Sequence, residues 1–104
     1  MEKVYHNAML IELSEMELQV KSEFPIPVYY KNILVGDYIA DLFVENCVIV
    51  EFKAVVQLHT KYEVQLENYL TATKVDIGLL INFGTSVTIK RTYRIYKKRS
   101  EEEE

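Results

Sequence analysis

The chain has no tryptophan, one cysteine, two prolines and three glycines in 104 residues. A lone Cys47 excludes an internal disulfide. With no Cys-rich spacing, it also argues against a zinc site and fits a reducing cytoplasm. No apolar run approaches the roughly 20 residues that cross a bilayer, and no signal-peptide pattern opens the chain, so no membrane partner is expected. There are no internal repeats and no Pro/Gly-rich linkers. What remains is ordinary globular composition, 49% hydrophobic and 27% charged, predicting a single domain over residues 1–100 with one hydrophobic core.

The net charge of −4 is concentrated at one end. Glu101 to Glu104 account for all of it and are expected to form a disordered acidic tail, leaving twelve charges of each sign in residues 1–100. Six of the twelve basic residues crowd into one segment: Lys90, Arg91, Arg94, Lys97, Lys98 and Arg99. Such a segment suits either a phosphate-binding surface or an edge strand protected from aggregation by charge.

Periodicity predicts the order α-β-β-β-α-β-β. Glu2, Tyr5, Met9, Leu13, Met16 and Val20 recur at steps of three and four, predicting a helix over residues 2–20. His6 is expected at an exposed helix position. Phe24 to Tyr30 reads as extended, with Pro25 and Pro27 marking an edge. A turn at Lys31-Asn32 leads to a strand over residues 34–44, bent near Gly36, and Asn46 centres the next turn. Val48 to Val55 is the most apolar strand. Thr60 and Glu63 form a capping box that starts a helix running to about Thr73, with His59 in the loop before it. Asp76 to Phe83 reads as an inner strand, and Val87 to Tyr96 closes the sheet. The helical crossover implies a mixed sheet with helices packed against it, an α+β (α/β) fold.

One stretch departs from this economy. Asp41 lies on one strand, and Glu51 and Lys53 interrupt the apolar strand that follows. Placing charge in a strand is costly unless the charges pair with one another or bind metal. Glu51 and Lys53 share a face because side chains alternate. If residues 45–47 form a three-residue loop, Val44 opposes Val48 and Asp41 falls opposite Glu51, about 5 Å away between Cβ atoms. A register shift of one residue would separate them. Carboxylate oxygens suit Mg²⁺ or Mn²⁺, which takes few protein ligands. Lys53 could orient or deprotonate a metal-bound water, or neutralise a phosphorane-like transition state. Gln65 and Tyr69, one helical turn apart, could position water or phosphate, and Glu2 could add a carboxylate. The competing reading is an ion-pair network with no metal.

Asp41, then Glu51-x-Lys53 after a hairpin, then Gln65 on the next helix, resembles the PD-(D/E)xK nuclease superfamily. More narrowly, five blocks resemble the GxxExxY proteins: Glu2-x-x-Tyr5, Ile39-Ala40-Asp41-Leu42, Val50-Glu51-Phe52-Lys53-Ala54, Gln65-Leu66-x-x-Tyr69-Leu70 and Gly78-Leu79-Leu80-Ile81-Asn82-Phe83. The likeness extends from residue 2 to about 91. It implies a restriction-endonuclease-like core, with Asp41 and Glu51 as metal ligands, Lys53 as catalytic lysine, Gln65 as the helix glutamine and Glu2 as the first-helix acid. The leading Gly of that motif and the helical stretch usually before it are absent, and Ala40 stands where the superfamily motif has Pro.

The function expected is Mg²⁺-dependent hydrolysis of DNA, or less favourably RNA, with the basic segment and Tyr69 on the nucleic acid. Tyr29, Tyr30, Tyr93 and Tyr96 are either base-stacking groups or simply good strand residues. The alternative is a catalytically idle nuclease fold serving as a binding or assembly module. Either reading allows a homodimer or a partner protein.

Overall fold

Two pairs of left-handed residues fold the chain back on itself: Lys31 and Asn32 (φ 50° and 65°), then Glu45 and Asn46 (φ 53° and 55°). Positive φ at consecutive turn positions matches the right-handed twist of the strands being joined. The computed structural model describes residues 1–95. The elements are α1 (Glu2–Glu15), β1 (Val20–Tyr30), β2 (Ile33–Val44), β3 (Val48–Lys53), α2 (Thr60–Thr73), β4 (Ile77–Phe83) and β5 (Val87–Tyr93). They form one mixed sheet in the order β1-β2-β3-β4-β5, with β3 and β4 parallel and the other pairs antiparallel. The order and mixed sheet expected from periodicity are those observed. Val28 pairs with Gly36 but Tyr29 pairs with Leu34, so Val35 is a bulge beside the glycine at which a bend was expected.

The helices cover opposite faces. On one, Leu42, Val50, Phe52 and Ile81 pack under Met9, Leu10 and Leu13 of α1. On the other, Ile49 and Leu80 pack under Leu66, Tyr69 and Leu70 of α2. A Cβ on Gly78 would lie 2.9 Å from the Leu66 side chain, so glycine there permits close seating of α2.

Three sequence expectations are corrected. The first helix stops at Glu15, not residue 20. Glu17 takes φ 61°, and the Leu18 N–H donates to the Leu13 carbonyl at 3.1 Å, a Schellman-type end that leaves Met16 exposed and starts β1 at Val20. The cap of α2 is His59, not Thr60: its Nδ1 accepts from the Lys61 N–H at 3.0 Å, and Thr60 is the first helical residue. His6 is buried rather than exposed, with Nε2 2.8 Å from Ser22 Oγ.

Local backbone strain explains how Asp41 comes to lie between the helices. Ser22 and Phe24 should share a face of β1, yet Ser22 meets His6 of α1 while Phe24 packs into the cluster under α2. Glu23, at φ 54°, turns the strand over between them. Across the ladder, Ala40 belongs to the α2-side cluster and Leu42 to the α1-side cluster. Asp41 occupies the switch point.

Candidate active site

β2 and β3 pair only through Leu42–Val50, Phe43–Ile49 and Val44–Val48, the register expected for a loop at residues 45–47. Beyond Leu42 side chains take over from the ladder. The Asp41 N–H donates to Glu51 Oε2 at 3.3 Å, and the Phe52 N–H donates to Asp41 Oδ2 at 2.7 Å. β3 meanwhile stays paired with β4, with Glu51 beside Leu80 and Lys53 beside Asn82. The strands therefore fork, with both carboxylates in the fork.

A cavity of about 210 Å³ opens there, lined by Glu2, Asp41, Glu51, Lys53, Tyr62, Gln65 and Tyr69, among others. Burial pushes the Glu51 carboxyl up to about 9, and the neighbouring Asp41 carboxyl pushes the same way. The Asp41 N–H and Lys53 oppose them. Glu51 without a cation thus holds its proton at neutral pH. Burial, then the charges of Glu51, Tyr38 and Asp41, raise the Tyr69 phenol to about 12, keeping it a neutral donor. Lys53 Nζ sits 4.4 Å from the centroid of the Tyr62 ring, whose face fixes the ammonium.

Two further residues frame the site. Asn82 is buried and clamps Val55: Oδ1 accepts from the Val55 N–H at 3.0 Å, and Nδ2 donates to the Val55 carbonyl at 2.9 Å. This fixes the chain two residues past Lys53. A Cβ on Gly84 would come within 2.5 Å of that carbonyl. From the α1 side, His6 Nδ1 lies 3.9 Å from Asp41 Oδ1.

The donor set fits a hard divalent cation that keeps most of its waters. Asp41 and Glu51 each give one oxygen to a backbone N–H, leaving the second oxygen unclaimed by backbone. No cluster of three or more His, Cys, Asp or Glu groups suited to a metal occurs among the described residues, which disfavours a caged zinc or calcium site.

Of the basic segment, the described members Lys90, Arg91 and Arg94 do not line this cavity. Lys90 Nζ reaches Glu63 Oε1 at 4.0 Å, and Arg94 bridges Asp76 at 2.9 Å, so both serve ion pairs within the fold. Arg91 Nη1 lies 3.5 Å from the Tyr93 hydroxyl. Lys97, Lys98, Arg99 and Tyr96 lie outside the described residues. Tyr29, Tyr30 and Tyr93 are exposed but do not line the cavity. Sequence reasoning missed Tyr62, Asn82 and His6. For His6 a signal existed, because Glu2, His6, Met9 and Leu13 fit the same three-four spacing as the face that was read.

A fork of two strands carrying Asp…Glu-x-Lys, flanked by a helix on each face, defines the restriction-endonuclease-like class. The sequence pattern of the PD-(D/E)XK nuclease superfamily matches residues 1–95, and the chain belongs to that superfamily. Among solved structures, one titled "Crystal structure of SSO0001" is similar, with TM-score 0.66 and 13% identity over 94% of this chain and 52% of that one. At that identity the likeness concerns the fold, and this chain spans about half the length of that protein. No match was found among curated protein sequences.

Proposed function

We propose that the fork is the active site of a divalent-metal-dependent nuclease that hydrolyses phosphodiester bonds of DNA, with RNA the less favoured substrate. The observation that carries this reading is the juxtaposition of Asp41 and Glu51 in one cavity with Lys53 and Gln65. A cation bound by the two carboxylates would supply a water of lowered pKa and charge stabilisation at the phosphate. Asp41 is held for that task by the Phe52 N–H. Glu51 would hold the cation through its ionised carboxylate, its proton passing to solvent as the cation enters. Lys53, fixed against Tyr62, stands where it can donate to the attacking water or to a phosphate oxygen. The Gln65 amide can accept from the water and donate to the phosphate. Glu2 rims the same cavity, as an outer carboxylate.

Cleavage of supercoiled plasmid and single-stranded DNA in Mg²⁺ or Mn²⁺ tests the assignment. Wild type is expected to cut, and Glu51→Ala and Lys53→Ala to lose at least a hundredfold in rate, the scale of removing one catalytic group. Cleavage undiminished in both variants refutes the site. The second reading, an idle nuclease fold acting as a binding or assembly module, draws support from the backbone hydrogen bonds of both carboxylates, which suit a structural pair as well. It predicts no cleavage and no stabilisation by either metal.

A further inference from the structure

A second cavity adjoins the fork. It has a volume of about 500 Å³, more than twice that of the carboxylate cavity at about 210 Å³, and shares Gln65 and Tyr69 with it. Its wall is made by Tyr38 of β2 and by Lys61, Val64, Gln65 and Asn68 of α2. Three features are of chemical interest. Tyr38 tilts at 41° against Tyr69, with ring centroids 5.5 Å apart, yet remains 45% exposed. The side-chain amides of Gln65 and Asn68, three residues apart on one helix face, make no protein hydrogen bond among the described residues. Lys61, one turn before Gln65, adds a cation at the rim.

A flat aromatic face, the Asn68 amide, which the fork does not use, and one cation are the complement of a nucleotide. The ring stacks on a base, the Asn68 amide can pair with donors and acceptors on its edge, and the ammonium meets a phosphate. Paired bases in a duplex present no free face, so the ligand is an unpaired or extruded base. We propose that this cavity is a nucleobase subsite for single-stranded or locally opened nucleic acid, holding the nucleotide next to the phosphate in the fork. Its placement relative to the reacting phosphate rests on the nuclease reading, whereas base binding itself does not.

The test is fluorescence anisotropy of 5′-labelled oligo-dA and oligo-dT octamers and of an abasic octamer, with Ca²⁺ as the cation. Tyr38, Asn68 and Gln65 are solvent-exposed, so their variants should fold. Tyr38→Ala is expected to weaken binding of the base-bearing octamers about tenfold while leaving the abasic octamer unchanged, and Tyr38→Phe to retain affinity. Asn68→Ala is expected to alter the ratio of oligo-dA to oligo-dT affinity severalfold. Octamer binding that ignores both alanine substitutions overturns the subsite. So does an equal loss on the abasic chain, or no octamer binding at all. Cleavage followed in parallel separates the two claims. Base-dependent binding through Tyr38 without cleavage removes the nuclease and keeps the subsite, and cleavage with Tyr38-indifferent binding does the reverse.

Discussion

Glu51 is the residue on which most depends. Its folded-state carboxyl, raised from the ordinary 4.5 to about 9, binds a proton that the unfolded chain has already released at neutral pH. The associated stability is complete below about pH 4.5 and is lost as pH rises toward 9. Metal-free protein should therefore lose melting temperature across that interval, and Glu51→Gln, which cannot titrate, should flatten the decline. Thermal melts in EDTA at several pH values check this; equal slopes for both proteins would contradict it. His6 acts on the other carboxylate. Wedged between Ser22 and Asp41, it restricts where Asp41 Oδ1 can go. His6→Ala should weaken divalent-metal binding by about 10-fold or more, the usual scale for residues that orient a ligand, with partial recovery in His6→Asn. Calorimetric titration with Mn²⁺ measures both.

At the scale of elements, both helices end on non-glycine residues in the left-handed region, Glu17 (φ 61°) and Lys74 (φ 60°). Glycine adopts that conformation without steric cost, so Lys74→Gly should stabilise the protein by about 0.5–1 kcal/mol, measurable by urea denaturation. These ends show what the sequence conceals. The order of elements along the chain, the three-residue loop at residues 45–47 and the extent of α2 follow from local pattern, because alternation and turn residues act within a few positions. The end of α1 does not, since Met16 and Val20 continue the helical spacing while a six-residue closure from Leu18 to Leu13 terminates it. Nor does the cap of α2: Thr60 and Glu63 satisfy the capping-box pattern, but His59 reaches the amide first. The face switch at Glu23 is equally hidden, because no glycine marks it and tertiary contacts of Ser22 and Phe24 impose it.

For the whole molecule, the fork arises from a mismatch in pairing. β3 stays married to β4 through Lys53, while β2 leaves β3 after Leu42 and follows β1 instead. That divergence opens the cavity, and α1 and α2 close it from opposite faces. The juxtaposition of Asp41 and Glu51 was legible once the loop length was read. The supporting residues were not, because Tyr62, Asn82 and His6 act through contacts distant in sequence. The central claim is that the two carboxylates jointly hold a divalent cation, and calorimetric titration of Mn²⁺ at pH 8 into wild type, Lys53→Ala and Glu51→Gln tests it most directly. Saturable binding by wild type and Lys53→Ala, lost in Glu51→Gln, is the result expected. Absence of binding to wild type, or undiminished binding to Glu51→Gln, would contradict it.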